Sequence, residues 1–137
     1  MDRRILVATD GTEHSTLAVA YAIHLAIVGK AELTIAVVNV ALGGARGPVL
    51  YSHSEADAKK ITTNAAEKAR LAGVKDVQEI VILSREADSG IVQYAEEKKI
   101  DHIVVGTGDK SGVSRLVLGS VAADVARRAH CTVTIAR

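Results

Sequence analysis

The chain has 137 residues, of which 48% are hydrophobic and 24% charged, with a net charge of +1. This length and composition suit one folded domain and argue against disorder. The near-neutral charge and the three tyrosines, with no Phe or Trp, argue against a nucleic-acid surface. No apolar run reaches the ~18 residues of a membrane span. A lone Cys131 suits a reducing compartment, so we expect a cytoplasmic protein without a membrane or nucleic-acid partner.

The first half of the chain predicts two strands, each followed by a helix. The apolar run 5–8 ends at a turn, as a strand buried on both faces would. Thr12 is expected to cap a helix that ends at Gly29. Residues 33–40 form the second strand and Ser54 begins the second helix, which Gly73 ends. The connection 41–53 is predicted to be a mobile loop. The apolar face of the first helix is expected to comprise Leu17, Tyr21, Leu25 and Val28.

The second half continues the alternation. Residues 78–83, 102–105 and 132–136 are predicted strands, with helices around 91–99 and from Ser120 onward. Strict βα alternation predicts an α/β fold, namely a doubly wound parallel sheet of five strands with helices on both faces. We expect residues 1–137 to form a single domain. Ligands in such sheets bind outside the carboxyl ends of the strands, where the strand order reverses.

Two loops at that edge carry candidate ligand-binding residues. The first is Ala8-Thr9-Asp10-Gly11-Thr12, after the first strand. The second begins at Gly106 after the fourth strand and leads to Gly119-Ser120-Val121, where backbone N–H groups at a helix start can bind an anion. The Walker motif and the dinucleotide fingerprint both fail here, since Asp109 precedes Lys110-Ser111 and the third glycine is missing. The sequence therefore indicates a phosphate site of another kind.

The opening ILVATDGTEHSTLAVAYA and the C-terminal IDHIVVGTGDKSGVSRLVLGSVAADVARRAHCTVTIAR, together with the element order, resemble the universal stress protein family over essentially the whole chain. The resemblance implies strand order 3-2-1-4-5, an adenine nucleotide alpha hydrolase-like fold, and a homodimer joined through the C-terminal strand. It also implies a stress-response module that binds ATP, with or without Mg²⁺.

Residue by residue, the family's ATP-binding signature is Gly, two residues, Gly, nine residues, Gly and Ser or Thr. Gly106, Gly119 and Ser120 match it, whereas Asp109 replaces the second glycine and Gly108 lies one place early. The resemblance further implies that Asp10 contacts the ribose or adenine. The base would pack against Ala8, Val40 and Val105, and Asn39 stands where the family usually has histidine.

Asp109 leaves three alternatives open. Its carboxylate would repel a triphosphate by about 4 kcal/mol at ~4 Å and an effective dielectric constant near 20. A bound Mg²⁺ could instead make the same carboxylate useful. A shift of the loop by one residue could also put Gly108 in the role of the missing glycine. A family member that binds no nucleotide and acts as a dimeric interaction module is therefore the alternative to ATP binding. The sequence shows no nucleophile–base pair and no zinc-ligand spacing, so a slow ATPase or phosphotransferase is the third reading and catalytic residues are not expected.

Overall fold

The computed structural model describes residues 3–107 and 119–137 of the chain. In these ranges strands and helices alternate almost strictly, with one extra strand between the second strand and the second helix. The elements are β1 (Arg4–Ala8), α1 (Glu13–Gly29), β2 (Glu32–Gly43), β3 (Val49–Tyr51), α2 (Glu55–Ala72), β4 (Val77–Ser84), α3 (Ala87–Glu97), β5 (His102–Gly106), α4 (Ser120–Arg128) and β6 (Thr132–Ala136).

Five of the strands form a parallel sheet. β1 pairs with β2 and β5, β2 pairs on its other side with β4, and β5 pairs with β6. The parallel strands therefore run in the order β4-β2-β1-β5-β6. This arrangement confirms the predicted α/β fold. The five parallel strands run in the predicted order, but the sheet has a sixth, antiparallel strand, β3, which was not predicted. The strand order reverses at β1, which places the carboxyl ends of β1 and β5 side by side.

The connection 41–53 is not the loop that was predicted. β2 runs on to Gly43 and turns back as β3, which pairs with it antiparallel. Gly43 and Gly44 have φ values of +77° and +97°, a conformation that suits glycine in a tight turn. The short run Val49-Leu50-Tyr51, which follows Gly47 and Pro48, has strand-forming side chains.

Helices cover both faces of the sheet, as predicted. α1 and α2 pack on one face through small residues such as Ala22 and Ala66, against Ile5, Val7 and Leu33. The opposite face of the sheet packs against α3 and α4. There the buried core residues are Leu6, Ala36, Ile91, Val92, Ala95, Ile100, Ile103, Val105, Ala122 and Val125.

The apolar face assigned to α1 from the sequence is wrong except at Leu25, which is partly buried and packs against the core. Leu17, Tyr21 and Val28 are 49%, 43% and 66% exposed, whereas Ala18, Ala22 and Ala26 are buried, as are Ser15, Val19 and Ile23. Three of the six buried residues of α1 are alanines spaced four apart, and their small side chains let the helix approach the sheet closely. Thr12 caps the helix as expected, by accepting a hydrogen bond from the N–H of Ser15.

The helix end also differs in detail. Lys30, rather than Gly29, adopts the left-handed conformation that ends α1, with φ of 51°. No helix within residues 3–107 and 119–137 is long and apolar enough to cross a membrane.

Candidate functional site

A cleft of about 460 Å³ opens at the carboxyl ends of β1, β2 and β5. The residues around it come from the two loops singled out in the sequence, from the β2–β3 hairpin, and from the first turns of α1, α3 and α4. They are Ala8, Thr9, Asp10, Thr12, Ser15, Val38, Val40, Ser52, His53, Ala87, Ile91, Val105, Gly106, Thr107, Gly119, Ser120, Val121 and Ala122.

The apolar part of the cleft is formed by the ends of three neighbouring strands. Ala8 of β1, Val38 and Val40 of β2, and Val105 of β5 line the cleft. Ala8, Val38 and Val105 belong to the same hydrophobic cluster as Ile91 of α3, so the cleft lies on the α3–α4 side of the sheet. Such a surface suits the flat face of an aromatic ring, because burying apolar area is favourable at about 25 cal/mol per Å².

The loop after β1 forms a compact hydrogen-bonded turn at the other end of the cleft. The hydroxyls of Thr9 and Ser15, both buried, lie 2.8 Å apart. The Ser15 hydroxyl donates to the carbonyl of Thr12 at 2.9 Å. One carboxylate oxygen of Asp10, Oδ1, accepts from the Thr12 N–H at 3.0 Å and from the Thr12 hydroxyl at 2.6 Å. The turn therefore fixes the Asp10 carboxylate at the cleft while the residue itself stays exposed.

These hydrogen bonds set the charge of the turn. Partial burial alone would raise the pKa of Asp10, but the hydrogen bonds from the side chain and backbone of Thr12 and from Ser15 outweigh it. The pKa of Asp10 is therefore held below its ordinary value of 3.8. At neutral pH the carboxylate is ionised and only accepts hydrogen bonds, which matches the hydroxyl groups of a sugar.

The N-terminus of α4 supplies the N–H groups that face the cleft. The predicted cap differs from the observed one, because Gly119 is the N-cap and Ser120 is the first helical residue, with no side-chain capping bond. The N–H of Gly119 is used inside the protein, where it donates to the carbonyl of Thr107 at 2.9 Å. The first-turn N–H groups of Ser120, Val121 and Ala122 have no partner within the helix and are the ones suited to an anion.

Gly106 is glycine for a reason of packing. A Cβ added there would lie 2.8 Å from the carbonyl oxygen of His14 and 3.2 Å from its carbon, both backbone atoms. The end of β5 thus packs directly against the first turn of α1. This close approach keeps the turn at Asp10 next to the strand that leads to the second loop.

Asn39 fixes the third edge of the cleft. Its side chain is buried, only 3% of the residue being exposed, and its Oδ1 accepts from the N–H of His53 at 2.8 Å and from the hydroxyl of Ser52 at 3.2 Å. Its Nδ2 donates to the carbonyl of His53 at 2.9 Å. Ser52 also bonds both backbone groups of Val40. The segment after β3 is thereby held over the end of β2.

The structure brings nine of the eleven predicted site residues to this one cleft. They are Ala8, Thr9, Asp10, Val40, Val105, Gly106, Gly119, Ser120 and Val121. The other two, Gly108 and Asp109, lie outside the described residues.

Sequence reasoning missed the contribution of the hairpin. Ser52 and His53 line the cleft, whereas the sequence predicted a mobile loop there without a role in the site. The available signal was Asn39, a buried polar residue near the end of an apolar strand, because such a side chain needs hydrogen-bond partners nearby. Ser15, which also lines the cleft, was not among the predicted residues, and Thr12 was predicted only as part of the first loop and as a helix cap. Among residues 3–107 and 119–137, no group of three or more His, Cys, Asp or Glu side chains is arranged to hold a metal ion.

Comparison with known proteins agrees with this architecture. The family model of the universal stress protein family matches residues 1–137. Universal stress protein YxiE of Bacillus subtilis is 33% identical, with 100% of both chains covered. A universal stress protein crystallised in complex with cAMP has a TM-score of 0.78 at 28% identity, covering 99% of this chain and 97% of its own. The universal stress protein of Archaeoglobus fulgidus in complex with dAMP shares the fold, with a TM-score of 0.76 at 23% identity and coverage of 98% of each chain. The chain belongs to the universal stress protein family.

Proposed function

We propose that this protein is an adenine-nucleotide-binding module of the stress response, with its ligand in the cleft at the carboxyl ends of β1, β2 and β5. The observation that carries the proposal is the combination of three surfaces in one cleft of about 460 Å³. An apolar floor, an ionised carboxylate and a helix N-terminus match the base, sugar and phosphate of a nucleotide. A family relative of the same fold was crystallised with cAMP, which supports the same ligand class here.

The arrangement suggests how the ligand lies. The base packs on Ala8, Val40 and Val105, and the free oxygen of the Asp10 carboxylate accepts a hydrogen bond from the sugar. The phosphate lies at the first turn of α4, where the N–H groups of Ser120, Val121 and Ala122 and the helix dipole favour an anion. Because the Gly119 N–H donates to Thr107, this proposal uses Ala122 in place of Gly119.

Within the class of adenine nucleotides we propose ATP, with or without Mg²⁺, as one ligand. The matching positions Gly106, Gly119 and Ser120 support it. Bound nucleotide would act as a signal rather than as a substrate. The proposal includes action in the cytoplasm, because a lone cysteine, Cys131, suits a reducing compartment.

Titration calorimetry with ATP, AMP and cAMP, with and without Mg²⁺, tests the proposal. Ser120→Pro removes one N–H at a helix position where proline is tolerated, and Ser120→Ala removes only the hydroxyl. We expect the proline variant to bind about tenfold more weakly than the alanine variant, as the loss of one hydrogen bond to a charged group predicts. Absence of heat with all three nucleotides at millimolar concentration would refute nucleotide binding.

A second candidate function is a dimeric interaction module that needs no nucleotide. β6 pairs only with β5 among the described strands, so its other side is a sheet edge, and such edges tend to be paired or covered. We propose that two copies pair through β6 across a two-fold axis, a closed arrangement. Sedimentation should give a dimer at tens of micromolar protein. A monomer at that concentration, where a ~1 μM dimer would persist, would overturn this proposal.

A further inference from the structure

We infer that the imidazole of His53 recognises the base edge of the bound adenine nucleotide, and that Asn39 is the positioning residue that holds His53 there. The inference rests on the proposed function and names a specificity-determining residue outside the predicted site. It starts from the hairpin segment 52–53, which lines the cleft beside the apolar floor.

The polar groups around Val40 are largely engaged within the protein. The Val40 N–H donates to the hydroxyl of Ser52 at 2.9 Å, and the Val40 carbonyl accepts from the Ser52 N–H at 2.9 Å. The Ser52 hydroxyl in turn donates to Asn39. The strand end beneath the base therefore has no free N–H at Val40, and the Ser52 hydroxyl has already used its only hydrogen.

His53 differs from these groups. Its backbone N–H and carbonyl are both bonded to the Asn39 side chain, so the imidazole is the part left to meet a ligand. No hydrogen bond or ion pair to that ring is found within residues 3–107 and 119–137, although His53 is half-buried and lines the cleft. A neutral imidazole offers one donor and one acceptor, which suits the amino group and ring nitrogens of adenine.

The position of His53 selects the base over the phosphate. His53 lies next to Ser52, which is bonded to the end of β2, whereas the anion-binding N–H groups begin α4 after β5. β1 separates these two strands in the sheet. His53 thus lies on the side of the cleft where Val38 and Val40 form the floor, away from the start of α4.

The test compares AMP with two analogues by titration calorimetry. Purine riboside 5′-monophosphate lacks the amino group of adenine, and 7-deaza-AMP lacks nitrogen N7. We expect the wild type to bind at least one analogue about five- to tenfold more weakly than AMP, since a site built to bond a polar group rejects a ligand without it. His53→Ala should weaken AMP binding by the same factor and abolish that discrimination. His53→Gln, which keeps a donor and an acceptor, should retain part of it.

Two further variants separate recognition from stability. His24→Ala removes an exposed histidine of α1 that lies outside the cleft, and it should bind AMP and both analogues like the wild type. Asn39→Ala should lose the same discrimination as His53→Ala at temperatures where it is fully folded. A purely structural role for Asn39 would lower its melting temperature and leave the ratio of affinities unchanged, which would overturn the positioning role.

The outcomes also separate this inference from the proposed function. Wild-type protein that binds AMP without discriminating against either analogue would overturn the role of His53 and leave the nucleotide proposal standing. The role of His53 would also be overturned if His53→Ala bound AMP as tightly as the wild type does. It would likewise be overturned if the variant bound AMP and both analogues more weakly by the same factor. Wild-type protein that binds no AMP, ATP or cAMP would remove both.

Discussion

The side chain of Asn39 bonds both backbone groups of His53, with its oxygen 2.8 Å from the His53 nitrogen and its nitrogen 2.9 Å from the His53 oxygen. These bonds join the end of a central strand to a segment 14 residues further along the chain. A flexible connection with Gly44 and Gly47 in its turn is thereby fixed over the cleft. The pair explains why the hairpin contributes to the site at all.

Asn39→Ala should therefore destabilise the fold. The change leaves the N–H and carbonyl of His53 and the hydroxyl of Ser52 without their buried partner, at a cost of about 1–3 kcal/mol for an unsatisfied group. Urea unfolding followed by circular dichroism measures the change. Asn64→Ala, at an exposed site on α2, is the control and should change stability by less than about 0.5 kcal/mol. Equal stability of Asn39→Ala and the wild type would contradict the interpretation.

Gly106→Ala should also destabilise the protein, because its Cβ would lie 2.8 Å from the backbone oxygen of His14. Neither backbone can yield without moving the start of α1, so we expect a loss of about 1–3 kcal/mol, as for overpacking elsewhere. Gly47→Ala is the matched control, since a Cβ there would meet nothing within 4 Å. Thermal unfolding of the two variants should differ clearly, and similar melting temperatures would show that β5 and α1 can separate at no cost.

Asp10 predicts a pH dependence of stability. Because the folded state holds the pKa of Asp10 below its ordinary value of 3.8, its hydrogen-bonded carboxylate stabilises the fold at pH values above that. This contribution is lost as pH falls through the lower, folded pKa. Asp10→Asn should therefore be less stable than the wild type at pH 7, and the difference should shrink toward pH 3. Denaturant unfolding at several pH values checks this. A difference that grows with falling pH would contradict the assigned shift.

The sequence predicted the parallel sheet and the convergence of two loops because those features follow from βα alternation and from strands buried on both faces. The strand order was predicted from the family resemblance. It mispredicted the buried face of α1, where Leu17 and Tyr21 are exposed and alanines are buried. Periodicity alone cannot tell a row of alanines packed on a sheet from an exposed row of larger apolar residues. Packing against the sheet decides which face of α1 is buried.

The hairpin at residues 41–53 could not be predicted for a related reason. Its glycines indicated a turn, but the strand Val49–Tyr51 is only three residues long, too short to show a pattern of its own, and it forms by pairing with residues 41–43 of β2. The occupied N–H of Gly119 was equally hidden, because its acceptor is the carbonyl of Thr107, 12 positions earlier. The local sequence pattern predicts where helices and strands lie. It does not predict hydrogen bonds between them, because these depend on the tertiary arrangement.

Asp109 gives a prediction that the sequence alone supports. If its carboxylate repels the phosphates, Asp109→Gly should tighten ATP binding by one to two orders of magnitude, equal to about 1.4–2.8 kcal/mol. If it holds Mg²⁺, the same change should weaken ATP binding, and EDTA should abolish the wild-type affinity. Calorimetry with and without Mg²⁺ distinguishes the two. Identical affinities of variant and wild type in both conditions would show that Asp109 does not act on the nucleotide.

The central claim is that an adenine nucleotide binds in the cleft at the carboxyl ends of β1, β2 and β5. The most direct test of this claim is an NMR titration of ¹⁵N-labelled protein with AMP. We predict that the backbone amide signals that move saturably are those of Asp10, Val40, His53, Ser120 and Val121. The signals of Leu71 and Gly73, at the end of α2 and outside the residues that line the cleft, should stay in place. Signals that do not move at millimolar AMP, or that move only at residues remote from the cleft, would contradict the account.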